Sequence, residues 1–258
     1  MSPLAGVLGF PVGHSRSPAM MNAAFRELGL DWRYFKLPLP PERFEQALRA
    51  LPGSGYRGAN VTIPHKLVAH DLADELSDAA RAIGAVNTLT FGEGGRIVGD
   101  NTDAGGLLDA IGEPVAGTAL VLGAGGAARA AAWALAQAGA EVTVWSRTSE
   151  NAAELAADLG VGHSERPGPS ELLVNATSVG LRAGDTLEGL PLVDARIVVD
   201  LVYGADPTLV VQWAEERGAR VVDGLEVLVR QGARSLALWT GEEPPVEVMR
   251  RAVLQPPV

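Results

Sequence analysis

Thr118-Ala-Leu-Val-Leu122 runs without a break into Gly123-Ala-Gly-Gly-Ala-Ala128, and an alanine-rich stretch follows. An apolar run, a glycine turn and a helix-forming run in direct succession restrict the fold sharply. A strand that feeds a helix through so tight a turn is the start of a βαβ unit, whose next strand runs parallel to the first. The rest of the chain is written the same way, with short β-branched runs alternating with longer Ala/Leu/Glu/Arg runs. The expected class is therefore α/β with a parallel or mostly parallel sheet.

With 258 residues, 47% of them hydrophobic, the chain has material for two domains of ordinary size. The first half predicts strands near 5–8, 33–37, 58–61 and 85–91 and helices near 18–28 and 41–50. Thr90 to Val98 reads as a hairpin closed by a glycine-rich turn. A second series predicts a strand over 118–122, a helix over 126–138, a strand over 141–145 and further strands near 172–175, 197–200 and 220–223. The boundary is expected around Asn101 to Gly117. A last helix, roughly 245–254, has no strand after it and is free to fold back onto the first domain.

Composition excludes several function classes. The chain has no cysteine, so disulfides, thiolate catalysis and thiolate zinc sites are out. A net charge of -10 disfavours nucleic acid and anionic membrane surfaces as partners. No uncharged run reaches the roughly 18 to 20 residues of a membrane span, and the apolar N-terminus lacks a basic leader segment; a soluble, cytoplasmic protein is expected. The four histidines, His14, His65, His70 and His163, lack metal-ligand spacing, so no metal is expected.

Gly123-Ala124-Gly125-Gly126-Ala127-Ala128 is G-x-G-x-x-A in its required setting, between a strand and a helix N-terminus. The glycines let the backbone approach a pyrophosphate, and the free N–H groups of the helix start receive its charge. The following strand ends Val144-Trp-Ser146-Arg147-Thr148. An acidic residue there would accept hydrogen bonds from the ribose of NAD, whereas Arg147 suits a 2'-phosphate, so NADP is the expected cofactor.

Lysine is almost absent: only Lys36 and Lys66 occur among 21 basic residues. Arginine serves wherever a generic cation is needed, so Lys66, in Asn60-Val-Thr-Ile-Pro-His-Lys66, stands where arginine would not do. An ammonium can exchange a proton in a way that a guanidinium cannot. Neither lysine lies in a Gly-Lys-Ser/Thr phosphate loop, and no tyrosine has a lysine four residues on, so those two catalytic layouts are absent.

Gly9-Phe-Pro-Val-Gly-His-Ser-Arg-Ser-Pro18, Asn60 to Lys66, Gly84-Ala-Val-Asn-Thr88, Gly99-Asp-Asn-Thr-Asp103, Gly123 to Ala127, Asn175-Ala-Thr-Ser-Val-Gly180 and Asp223-Gly-Leu-Glu226 together resemble the shikimate dehydrogenase family over nearly the whole chain. The resemblance implies a substrate-binding domain from residues 1–101 with 240–258 and a Rossmann-type NADP-binding domain from 102–239. It implies NADPH-dependent, reversible reduction of 3-dehydroshikimate to shikimate, on the route to aromatic amino acids. Lys66, aided by Asp103, would give the proton as hydride reaches the ring carbonyl. The implied substrate contacts are Ser15, Ser17, Asn60, Thr62, Asn87, Tyr203 and Gln231. Ser146, Arg147, Thr148, Thr177, Ser178, Leu201 and Gly224 join the glycine turn on the cofactor side.

The residues also have ordinary readings. Ser17 before Pro18 is a plausible helix N-cap, as is Asp103, and asparagine and threonine often cap loops. The segment from Asp100 to Gly106 is a candidate hinge for domain closure. Three positions depart from the family pattern: Met21-Asn22 for His-Asn, Ser146 for Asn and Val227 for Met. An NAD-using quinate/shikimate dehydrogenase and a non-catalytic NADP sensor remain as alternatives. Oligomeric state is open, a homodimer included.

Overall fold

The computed structural model describes residues 2–182, 184–204 and 206–255. The chain folds into two compact units, one made of the residues up to Thr102 with those from Leu228 onward, the other of Asp103–Val227. Both divisions fall inside helices rather than loops.

The first unit contains β1 (Leu4–Gly9), α1 (Ser17–Glu27), β2 (Arg33–Pro38), α2 (Phe44–Ala50), β3 (Tyr56–Val61), α3 (Lys66–Leu72), β4 (Glu75–Leu76), α4 (Asp78–Ile83), β5 (Thr88–Phe91) and β6 (Ile97–Asp100). Its sheet has the order β2-β1-β3-β5-β6-β4. β2, β1 and β3 are parallel, β3, β5 and β6 are antiparallel, and β4 pairs parallel to β6. One core gathers Leu8, Phe44, Leu48, Val61, Leu89 and Ile97. The hairpin expected over 90–98 is present as β5 and β6, paired from Thr88↔Asp100 to Phe91↔Ile97.

The second unit continues with α5 (Thr102–Ile111), β7 (Gly117–Leu122), α6 (Gly126–Gln137), β8 (Ala140–Trp145), α7 (Ser149–Leu159), β9 (Gly162–His163), β10 (Leu172–Asn175), β11 (Ile197–Asp200), α8 (Leu209–Glu215) and β12 (Arg220–Val222). Its sheet is parallel throughout in the order β12-β11-β10-β7-β8-β9. Strand order reverses between β7 and β10, the doubly wound arrangement that leaves a crevice beyond the carboxyl ends of those two strands. Both faces are apolar, as buried parallel strands require: Val121, Val174 and Val199 face one core, and Leu120, Leu173 and Val198 face the other.

Two helices follow, α9 (Gly224–Thr240), which begins in the second unit and ends in the first, and α10 (Val246–Leu254). α10 packs on α1, where Arg16 donates to the Val253 carbonyl at 2.6 Å and the side chain of Met249 is fully buried.

The stretch 101–117, where the domain boundary is expected, contains the ten-residue helix α5. Gly105 and Gly106 disguise it, but Leu107 and Ile111 recur on one face and are buried in the second unit's core. The proposed hinge residues from Thr102 to Gly106 are thus helical. β5 starts at Thr88 instead of Ala85.

Candidate active site

Three of the four sequence motifs before residue 104, Asn60 to Lys66, Gly84 to Thr88 and Gly99 to Asp103, are joined through backbone. The Lys66 carbonyl accepts from the amide of Val86 at 2.9 Å, the Asn87 carbonyl from Val61 at 2.8 Å, and the Asp100 carbonyl from Asn87 at 3.1 Å. The side chain of Asn87 then turns to α5: its Oδ1 accepts the Thr102 amide at 2.7 Å, and its Nδ2 donates to Thr102 Oγ1 at 3.0 Å and Gln231 Oε1 at 3.3 Å. The Thr102 amide fixes which end of this carboxamide is oxygen, so its orientation is determined. Asp103 is in the first turn of α5 and half-buried, so it is not that helix's N-cap.

Behind this lies a buried cluster of neutral groups. Asn60 Oδ1 accepts from the hydroxyl of Tyr34 at 2.7 Å. Asn60 Nδ2 donates to Ser235 Oγ at 2.8 Å, Thr88 Oγ1 at 3.1 Å and the Asn87 carbonyl at 3.3 Å. The hydroxyls of Thr88, Thr102 and Ser235 lie 2.9 to 3.1 Å from one another. Among the described residues no buried side-chain nitrogen or oxygen lacks a partner. Asn60 therefore sits inside the scaffold that fixes Asn87, with both ends of its amide bonded within the protein.

Lys66 opens α3 and is half-buried. A lysine stabilises a helix at its C-terminal end, where the dipole is negative; at the first position it does nothing for α3. The preceding His65 is buried, stacks on Phe44 with ring centroids 4.1 Å apart and bonds through Nε2 to the Leu39 carbonyl at 2.7 Å. Burial lowers its pKa, opposed by the Leu39 bond, so a second positive charge beside Lys66 is disfavoured. Thr62 is half-buried in the same turn.

Ser15 and Ser17 are buried at the start of α1, and Ser15 Oγ accepts from the Ser17 amide at 3.3 Å. The N-cap is Arg16, so Ser17 is the first helical residue and not the cap expected from its place before Pro18. The first turn carries no acidic residue, and two hydroxyls at the positive end of a helix suit a carboxylate.

In the second unit Gly123 follows β7 with φ +117°, a conformation that disfavours any side chain. A Cβ there would lie 2.8 Å from the Ala176 carbonyl oxygen and 3.3 Å from the Thr177 amide. The turn is thus pressed against the loop after β10, at the crevice defined by strand order. Gly125 precedes α6 without a side-chain cap, and a Cβ added to it would meet open space. Bare amides, no side chain and room beside them fit a pyrophosphate at Gly123, Ala124, Gly125, Gly126 and Ala127. Arg147 and Thr148 are exposed after β8, and Ser146 Oγ donates to the Thr148 carbonyl at 2.5 Å. Gly224 is excluded from carrying a side chain by the Val202 carbonyl oxygen, 2.6 Å from where its Cβ would be.

A family model described as the shikimate dehydrogenase substrate binding domain matches residues 7–89, and one described as the shikimate 5'-dehydrogenase C-terminal domain matches 224–254. The NADP(+) shikimate dehydrogenase of Methanopyrus kandleri is 45% identical over 98% of this chain and 95% of its own. The chain belongs to the shikimate dehydrogenase family. A shikimate dehydrogenase structure from Aquifex aeolicus matches with a TM-score of 0.90 at 38% identity, covering 98% of both chains. A Thermus thermophilus shikimate 5-dehydrogenase in complex with NADP(H) and shikimate matches with a TM-score of 0.87 at 41% identity, again over 98% of both.

Within this member of the shikimate dehydrogenase family, Ser15, Ser17, Asn60, Thr62, Lys66, Asn87 and Gln231 all fall in the first unit. Asp103, Tyr203 and the cofactor-side residues fall in the second. Sequence reading missed the supporting groups. Thr88 and Thr102 stood inside quoted motifs, and Ser235 lies four residues after Gln231, on the same helix face. In the second unit Asn175, Asp200 and Thr208 form a buried knot; the visible signal was an aspartate closing the apolar strand Ile197-Val-Val-Asp200.

Proposed function

We propose that this protein catalyses the reversible NADPH-dependent reduction of 3-dehydroshikimate to shikimate, a cytoplasmic step of aromatic amino acid biosynthesis. The observation that carries the reading is the full-length match to an enzyme solved with NADP(H) and shikimate, in a chain that has Lys66, Asn87 and Asp103 within the motifs that resemble this family. When bound, NADPH supplies the hydride.

The residues divide the remaining work. Ser15 and Ser17 receive the substrate carboxylate at the start of α1, with Tyr203 as a further contact. Thr62, Asn87 and Gln231 recognise ring hydroxyls, with Asn60 holding Asn87. Lys66 Nζ gives its proton to the carbonyl oxygen of the substrate and takes it back in the oxidative direction. Asp103 holds that ammonium by a charge-assisted hydrogen bond. The Gly123–Ala127 turn receives the pyrophosphate, and Arg147, with Ser146 and Thr148, receives the 2'-phosphate. Thr177, Ser178, Leu201 and Gly224 line the cofactor side. The first unit binds substrate and the second binds dinucleotide.

Loss of absorbance at the NADPH band on adding 3-dehydroshikimate tests the reading directly. NADH and quinate as competing reagents separate it from an NAD-using quinate/shikimate dehydrogenase, which Arg147 and the lack of an acidic residue at the end of β8 disfavour. Binding of NADPH without turnover would point to a sensor instead. A homodimer would appear as a sedimentation mass of two chains.

A further inference from the structure

Asp200 is the last residue of β11 and has no exposed surface. Its neighbours in hydrogen bonding are all neutral. Oδ1 accepts from Asn175 Nδ2 at 2.9 Å and from the Val202 amide at 3.0 Å, and Oδ2 accepts from the hydroxyl of Thr208. A carboxylate buried without a cation is expensive, so its presence at the rim of the sheet requires a reason.

The bonds lead to the dinucleotide turn. Asn175 pairs with Asp200 in register across β10 and β11. Its Oδ1 accepts from Thr177 Oγ1 at 2.7 Å and from the Thr177 amide at 3.1 Å, and Thr177 Oγ1 accepts the Val179 amide at 3.1 Å. The Ala176–Thr177 peptide is the one against which Gly123 is pressed. On the other side, Val202 and Thr208 bracket the loop that carries Tyr203, and Thr208 caps α8 through the Val211 amide at 3.2 Å.

We propose that Asp200 is a positioning residue for the dinucleotide: its charged carboxylate, acting through Asn175 and Thr177, sets the loop after β10 against the glycine turn, so that affinity for NADPH depends on that charge. A carboxylate accepts all three donors at once. A carboxylic acid puts a hydrogen on one oxygen: on Oδ2 it reverses the Thr208 bond, so that the hydroxyl accepts instead of donating, and on Oδ1 it displaces the Asn175 amide. Burial raises the Asp200 pKa to about 6, opposed by the bonds from Thr208, Val202 and Asn175. Among the described residues, no other charged group on the packed elements bonds to it. Arg220 begins β12 and Glu171 precedes β10, both at the opposite end of the strands; Glu215 ends α8; Asp206 and Asp223 are exposed in loops; Glu226 is in the first turn of α9.

The inference rests on the proposed use of NADPH, and the experiment separates the two. Dissociation constants for NADPH are measured by its fluorescence between pH 5 and 8 for the wild type and for Asp200→Asn. If the wild type binds NADPH at no pH, the functional reading fails. With binding established, Asp200→Asn is expected to bind about tenfold more weakly at pH 8 and about equally at pH 5. Titration of the ligand's own phosphate affects both proteins and leaves that ratio untouched. A ratio that stays constant across the range, or equal affinity at pH 8, overturns the role of Asp200. A second readout needs neither ligand nor variant: in the wild type the protection of the Thr177, Val179 and Val202 amides, corrected for intrinsic exchange, falls as pH drops through about 6. Unchanged protection there overturns the proposal as well.

Discussion

Each unit buries a polar knot, and the two are built on opposite principles. In the first, Asn60, Asn87, Thr88, Thr102 and Ser235 bond to one another without an ionisable group among them. In the second, three donors converge on the carboxylate of Asp200. A neutral network has the same geometry at any pH the protein meets, whereas the second network changes with one proton. The placement follows the chemistry. Where Lys66 is proposed to pass a proton to substrate, the supporting groups cannot compete for it. Beside the glycine turn, where dinucleotide recognition is proposed, an ionisable support is tolerated.

The comparison is broken most directly at Lys66. Lys66→Ala is expected to lower kcat by about 10² to 10⁴-fold, the usual worth of a placed proton donor, while NADPH affinity, a property of the other unit, stays the same. Lys66→Arg should fail almost as badly, since a guanidinium keeps its proton. Steady-state kinetics with a separate NADPH titration decides; equal losses in both quantities would show that the two units do not divide the work as proposed.

The pH dependence of stability sharpens the comparison from the other side. The folded Asp200 pKa, about 6, lies above the ordinary aspartate value of 3.8. The folded state therefore holds a proton that the unfolded chain has released between those values. Its contribution to stability is present in full below pH 4 and is lost as pH rises through about 6, an effect of roughly 3 kcal/mol. Asp74 and Asp185 run the other way: bonds from backbone amides, led by Ile97 and Arg182 respectively, lower their pKa values. The slope must accordingly be read as wild type minus Asp200→Asn, from denaturant unfolding at pH 4.5 and 7.5. A difference independent of pH would remove the contrast between the knots.

Arg147→Ala tests the cofactor half alone. Loss of a charge-assisted contact to a 2'-phosphate should weaken NADPH binding by roughly 10 to 100-fold and leave NADH binding as it was. Both affinities can be measured by nucleotide fluorescence. Equal affinities for the two nucleotides in the wild type would remove Arg147 as the selector.

Much of this was legible in the residues. The doubly wound unit was written in its β-branched runs and in Gly123 to Ala128, because local propensity, apolar pattern and turn chemistry agree there. The motif residues Ser15, Lys66, Asn87 and Asp103 stood out as candidates because their residue types are chemically conspicuous. What stayed hidden depended on partners distant in sequence. Helix α5 was masked by Gly105 and Gly106 and is started by the side chain of Asn87, fifteen positions earlier. Ser17 looked like a cap, but the backbone turned one residue sooner, at Arg16. Thr88 and Ser235 are 147 positions apart and only their meeting gives either a role. Asp200 looked like a strand end, since burial of a carboxylate is a property of the packed fold and cannot be read from the four residues before it.

Ser235→Ala carries the smallest expected effect and the most specific one. The hydroxyl touches Asn60, Thr88 and Thr102, so its loss reaches every side of the first knot. Each neighbour nevertheless keeps another bond: Asn60 Nδ2 still has Thr88 and the Asn87 carbonyl, and Thr88 and Thr102 still have each other. No buried group is orphaned, so the change should cost about 1 kcal/mol, measured by denaturant unfolding. Because Asn60, Thr88 and Thr102, the groups that the hydroxyl touches, do not titrate, that figure should be the same at pH 5 and pH 8. A loss of several kcal/mol, or one that varied with pH, would mean that an ionisable group is coupled to the cluster and that the two knots are less different than their composition says.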